Sequence, residues 1–334
     1  MKKILRLAVL ALAGTAALAL AGNALATQKL SIKQTTTSLT IKVSQAQSDA
    51  QPAKISIYVP SGYSINTSAT PGTKIGSTTG TVFSRDANIP LPLSGDVVVA
   101  ASSSAPTCDP VSHLAVWNLA LSVAGQNITL PVHVDQTAGT ETALGAYKLV
   151  VCLGPDDVPV GTPGRSPNGA RLLDATFTVD SIFTVPAGQS LWKTITTPWA
   201  GGTPNAAGTV ETRAFVADGA VTLAKKVNAA KRLVKFSGKV TQAGAAVAGA
   251  RVSLLVNGKS AGFTARTNAS GGYSIVLKKT GKKTTSTFQA RTTVAERDIT
   301  TTGCASPTPG VPGGCVSATA SPFTAVSAKI TIRL

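Results

Sequence analysis

Acid–base chemistry in this chain has to run through His113 and His133, its only two histidines. His133 and Asp135 stand two apart in a stretch where Ile128, Leu130, Val132 and Val134 alternate with Thr129, Pro131 and His133. Residues two apart on a strand share a face, so a carboxylate-tuned imidazole base is conceivable there. That face lies opposite the apolar residues, and the spacing therefore predicts a solvated surface pair. Two histidines this far apart in sequence do not make a metal site.

Gly258-Lys259-Ser260-Ala261-Gly262 spells a G-x-S-x-G nucleophile elbow. That motif works on a tight strand-to-helix turn, and the hydrolases that use it need a later histidine. Both histidines come earlier, and Asn257-Gly258 instead marks a type I′ hairpin turn. Ser270-Gly271-Gly272 matches a serine-protease nucleophile sequence, but the histidines lie in the other part of the chain. Gly258-Lys259-Ser260 fails as a phosphate loop because Ser253 stands where the first glycine is required. Asp156-Asp157 could offer oxygens to Ca²⁺, without the alternating acids of a calcium loop. No catalytic residues, no metal site and no cofactor are expected, and the chain reads as a non-enzyme.

The cysteines are Cys108, Cys152, Cys304 and Cys315, with no Cys-x-x-Cys and no histidine near the second pair. Disulfides are therefore expected rather than zinc. Three pairings are possible, and Cys108–Cys152 with Cys304–Cys315 is favoured because each then closes within one part of the chain. The second bond would close the segment Ala305 to Gly314 at a gain of roughly 2–3 kcal/mol. The start of the chain agrees with an oxidising compartment. Lys2, Lys3 and Arg6 precede the apolar run Leu7 to Ala21, and Ala24-Leu25-Ala26 fits a small-x-small cleavage site. The run is shorter than the ~20 residues of a membrane span. A signal peptide over 1–26 is expected, and with it a secreted or extracytoplasmic protein that carries no transmembrane span after cleavage.

Charge divides the chain. The formal net charge is +17, yet residues 27–210 hold ten basic and ten acidic side chains, whereas 211–334 hold eighteen basic and four acidic. One basic group is Lys225, Lys226, Lys231, Arg232, Lys235 and Lys239. The other is Lys278, Lys279, Lys282 and Lys283, placed around a Thr280-Gly281 hairpin tip. Such asymmetry attracts an acidic partner; simple solubility is the competing explanation. Lysine-rich, aromatic-poor groups suit diffuse contact with an acidic envelope polymer or anionic lipid, so nucleic acid is disfavoured. Trp117, Trp192 and Trp199 all lie in the neutral part. Exposed, they would stack on sugar rings; core packing is the commoner fate of so large a residue.

The elements that carry these residues are strands. Leu39, Ile41 and Val43, then Ile55, Ile57 and Val59, then Phe177 and Val179 alternate with polar residues, the period of half-buried strands. Pro131 implies an edge strand or a bulge. Thr196 to Gly208, rich in Pro, Gly and Ala, reads as a loop or linker. The division predicted is a β-sandwich over 27–210 and a basic module over 211–334, both all-β and antiparallel.

The second module carries Gly238-Lys239-Val240, then Val247-Ala248-Gly249-Ala250-Arg251-Val252, then Thr267-Asn268-Ala269-Ser270-Gly271-Gly272-Tyr273-Ser274. This series resembles bacterial Ig-like and carboxypeptidase-regulatory-like (transthyretin-like) sandwiches over roughly 215–334. The resemblance implies a fold and says almost nothing of function. Together these readings lead to a secreted, non-catalytic structural or adhesive protein of the cell envelope, whose basic module associates with an acidic surface. A secreted carbohydrate- or ligand-binding protein is the alternative, and an extracellular hydrolase a further one.

Overall fold

A computed structural model describes residues 28–102, 108–110, 112–278, 284–299 and 317–333. Residues 1–26, expected as a signal peptide, and Cys304, Cys315, Lys279, Lys282 and Lys283 fall outside the described residues. Within them the protein is all-β, with strands paired antiparallel except for Ser317–Ala320 on Val210–Val216 at one end of the main sheet, and no α-helix. No helix there is long and apolar enough to cross a membrane.

The chain opens with the hairpin β1 (Lys29–Gln34) and β2 (Ser38–Ser44), then β3 (Pro52–Val59) and the short β4 (Ser64–Ile65). Long strands follow: β5 (Lys74–Ser84), β6 (Ile89–Ala100), β7 (Ala115–Val123), β8 (Gln126–Gln136) and β9 (Tyr147–Cys152). Next come β10 (Ala170–Asp180), β11 (Phe183–Thr184), β12 (Ser190–Ala200), β13 (Thr203–Pro204) and β14 (Val210–Val216). The main sheet runs β1-β2-β10-β5-β6-β7-β8-β9-β3-β12-β14. It curls far enough to bring β1 back against β14. Its inner face forms one core, with Leu30, Ile41, Val97, Trp117, Leu149 and Trp192 fully or nearly buried.

The second core is built from β15 (Gly219–Val221), β16 (Ala224–Asn228), β17 (Leu233–Gln242), β18 (Ala245–Ala246), β19 (Arg251–Val256), β20 (Lys259–Arg266), β21 (Gly272–Lys278) and β22 (Thr285–Val294). Then β23 (Arg297–Ile299) and β24 (Ser317–Ala320) return to the first sheet, and β25 (Phe323–Val326) and β26 (Ile330–Arg333) complete the second. One sheet centres on β17, flanked by β15 and β16 on one side and by β18 and β21 on the other. The facing sheet runs β20-β19-β22, with β25 and β26 on the last edge. Phe236 and Phe288 meet between them with ring centroids 4.8 Å apart.

Residues on either side of position 210 share the first sheet. β14 pairs with β12, Ala214 and Val216 enter the first core, and β24 pairs in parallel with β14. The second core starts at Val221. Thr196 to Gly208, expected as a linker, is instead the end of β12 and the β12–β13 hairpin, with the Trp199 indole donating to the Leu153 carbonyl at 2.9 Å. Pro131 sits inside the sheet. The β8–β9 ladder stops at Val132, however, so at Pro131 only β7 remains alongside, where the missing N–H costs nothing.

Local chemistry sets the turns of the second core as read. Asn257 and Gly258 both take positive φ (49° and 79°) and join β19 to β20, with Val256 opposite Lys259, the geometry that selects Asn-Gly. Asn268 Oδ1 accepts from the Ser270 and Gly272 amides, and Gly271 takes φ 73°. Tyr273, just beyond, buries its ring and donates Oη to the Thr222 carbonyl at 2.5 Å, tying β21 to the opposite edge of its sheet.

Candidate functional site

Strand register places Lys226, Lys235 and Lys239 of the first lysine group, with Lys278 of the second, on one outer surface. On β17, Val234, Phe236 and Val240 point into the core, so Lys235 and Lys239 point out. Directly opposite partners share a face. Lys226 and Val276 flank Lys235, and Asn228 and Lys278 flank Leu233. Lys226, Lys231, Lys235, Lys239 and Lys278 are exposed and form no ion pair among the described residues. Arg232, in the β16–β17 turn at φ 50°, is half-buried. Lys225 faces inward opposite Phe236 and reaches past the edge, where its Nζ donates to the Thr331 carbonyl at 2.9 Å. It holds β16 to the facing sheet.

The topology also sorts charge between the two ends of the second core. Asp218, Glu296 and Asp298 are the only acids after residue 211. All three lie at the end that meets the first sheet, next to β15 and on or beside β23, and Asp298 pairs with Lys29 at 2.5 Å. The opposite end gathers the β16–β17 turn, the β19–β20 hairpin and the ends of β21 and β26. It carries Lys231, Arg232, Lys259, Lys278 and Arg333 with no acid. The strands on either side of Thr280-Gly281 correct the hairpin expected there. β21 and β22 are unpaired with each other and belong to the two facing sheets.

Cys108 and Cys152 form a disulfide with a sequence separation of 44. It pins the segment before β7 over the outer face of β8, β9 and β3. The His133–Asp135 pair, expected on a solvated face, is consequently buried, with the two residues 0% and 1% exposed. His113 comes down onto it, Nδ1 lying 2.6 Å from Asp135 Oδ1 and its ring centroid 4.3 Å from that of His133. Burial, then the His113 imidazole, holds the His133 pKa below its ordinary value. The carboxylate and imidazoles do converge; among the described residues no hydroxyl or thiol is hydrogen-bonded to either ring.

Beside them lies a network that sequence reading missed. Asp109 accepts from Lys148 at 2.7 Å and pairs with Lys54 at 3.1 Å, while Glu141 accepts from Lys148 at 3.0 Å and from Tyr58 Oη at 2.9 Å. Burial opposes ionisation of Asp109, but Lys148 and Lys54 outweigh it and hold its carboxyl below the usual range. Burial and then Glu141 push the Tyr58 phenol well up. The available signal was positional: Asp109 follows Cys108 and Lys148 precedes Cys152 by four, so the disulfide brings them together.

Other candidates resolve as structure. Asp156, weighed and disfavoured as a calcium oxygen donor, is 2% exposed and taken by Arg171 at 2.7 Å and Arg85 at 3.4 Å. Ser260 lies on the edge strand β20 opposite Leu255, not on a strand-to-helix turn. Trp117 and Trp192 are core residues, 1% and 0% exposed. No group of metal-ligating side chains occurs among the described residues. No protein-family model matches the chain, and no curated protein is significantly similar to it.

Proposed function

We propose that this is a secreted, non-catalytic cell-envelope protein that attaches to an acidic surface through its second core, an Ig-like or transthyretin-like sandwich. The observation that supports the reading most is the lysine face of β16, β17 and β21. Lys226 and Lys235 stand directly opposite each other, exposed, with Lys278 and Lys239 on the same face and no carboxylate within it. Like charges opposite one another cost stability, and an anionic partner relieves that cost. Val276, 57% exposed between Lys235 and Lys278, adds an apolar contact at the centre. The first sheet contributes a body whose charges are balanced and largely paired with each other.

Co-sedimentation of the full-length protein with phosphatidylglycerol vesicles, with phosphatidylcholine vesicles as control, tests this. Binding to the anionic vesicles alone, released above about 0.5 M salt where screening is within a few ångströms, supports it. Binding unchanged by salt, or unchanged in the doubly substituted Lys226→Glu, Lys235→Glu protein, overturns it. Soluble polyphosphate added as competitor separates a polymer partner from a lipid one. A carbohydrate surface built on tryptophan stacking loses Trp117 and Trp192 to the core.

A further inference from the structure

The curled first sheet encloses a cavity of about 250 Å³. Small residues meet where β5, β6 and β10 pair along it: Ala175 lies opposite Gly80, and Thr78 lies opposite both Phe177 and Gly95. Large aliphatic side chains from the surrounding strands, among them Ile55, Leu121 and Leu149, form the rest of the wall. Phe177 is the one aromatic side chain in the lining. Of the lining residues, Gly164 and Pro167 are exposed, so the mouth lies under the β9–β10 loop. Ion pairs hold that loop in place. Arg165 grips Asp86 through both terminal guanidinium nitrogens, at 2.9 and 2.5 Å, and Asp156 is held by Arg171.

Two polar groups in this wall are unpaired. Thr78 Oγ1 and Ser166 Oγ are buried, their residues 1% and 7% exposed, and neither makes a hydrogen bond. A buried hydroxyl without a partner is costly. A buried water needs two to four polar partners, and a wall this apolar is poorly suited to supply them. An apolar cavity of ~150 Å³ accommodates benzene, so this one has room for on the order of ten heavy atoms. We infer that the cavity is a binding site for a single-chain aliphatic molecule with one oxygenated end, entering beneath the β9–β10 loop and hydrogen-bonding to Thr78 or Ser166. This site is separate from the lysine face and stands whether or not that face binds an acidic surface.

Titration calorimetry with 1-decanol and decanoate, and with 1-butanol as a short control, decides it on the full-length protein with its disulfide intact. Saturable one-to-one binding of a ten-carbon probe, at least tenfold tighter than butanol, is expected. Ala175 lines the cavity, so Ala175→Leu occupies part of it and should weaken that binding at least tenfold, while Ser166→Ala should weaken it severalfold. If Ala175→Leu lowers the melting temperature, Leu121→Ala provides the opposite change, enlarging the cavity and shifting preference from decanol toward dodecanol. Absence of saturable binding by both ten-carbon probes overturns the inference. So does binding that a folded Ala175→Leu protein retains in full, since the probe would then sit elsewhere.

Discussion

Two outer sheet faces carry lysines in this protein, and they have opposite fates. On β3, β8 and β9, Lys148 is buried and bonded to Asp109 and Glu141 beneath a loop fastened by Cys108–Cys152. On β16, β17 and β21, Lys226, Lys235, Lys239 and Lys278 stand in solvent with no acid on their face. Period-2 alternation put both sets on the side away from the core. What differs is the cover. A cross-linked loop that brings its own carboxylate turns one face into a closed network, whereas no loop among the described residues covers the other, which is left as an open field. The first kind of lysine contributes to the fold, whereas the second is free to act on something outside it.

Removing the cover should have the largest effect. The double substitution Cys108→Ser, Cys152→Ser releases a loop of 44 residues, worth about 4 kcal/mol by chain entropy. Denaturant unfolding should show that loss, and hydrogen exchange should rise at His133 and Lys148. Retained protection there would mean the loop stays down without its bond. Next in size is Lys148→Ala, which leaves Asp109 and Glu141 facing a desolvated surface and should cost about 3 kcal/mol. The same change at Lys235 should move stability by less than ~0.5 kcal/mol, and an equal loss at both positions would erase the contrast between the faces. A smaller effect is expected from pH. The His133 pKa is lowered in the folded state from its ordinary 6.5, so below that pH the unfolded chain binds the extra proton more readily. The stability held above pH 6.5 should therefore fall as pH drops through and below it. His133→Gln should flatten that slope in thermal melts across pH 5 to 8, whereas Lys235→Ala should leave it as it is.

Alternation in Leu39–Val43, Ile55–Val59 and Phe177–Val179 was enough to read strands, and Asn257-Gly258 was enough to read a hairpin. These signals are local, because a strand's period and a turn's positive φ are properties of a few residues. The burial of His133 and Asp135 was out of reach for the opposite reason. It depends on a segment some twenty residues earlier folding over the sheet, and periodicity describes only the strand itself. Thr196 to Gly208 misled through composition: its prolines and glycines serve a hairpin within one sheet. The return of β23 and β24 to the first sheet is a long-range pairing with no local mark. The lysine face was half legible. The sequence supplied the clusters and their sign, but the pairing of Lys226 with Lys235, and the diversion of Lys225 to Thr331, follow from register.

A small stability change carries the sharpest test of the open face. Lys226 and Lys235 repel across a directly opposed pair, so Lys235→Glu converts a repulsion into an attraction while leaving the strand exposed. Its melting temperature should rise slightly or stay level, by an amount corresponding to at most about 0.5–1 kcal/mol. If the face exists to meet an anionic surface, the same substitution should weaken sedimentation with phosphatidylglycerol vesicles, since it removes two units of positive charge at the centre of the patch. Stability and binding would then move in opposite directions from one residue. That divergence is the signature of charge maintained for a partner against the interest of the fold, and a surface that served only solubility would show no loss of binding to accompany the gain.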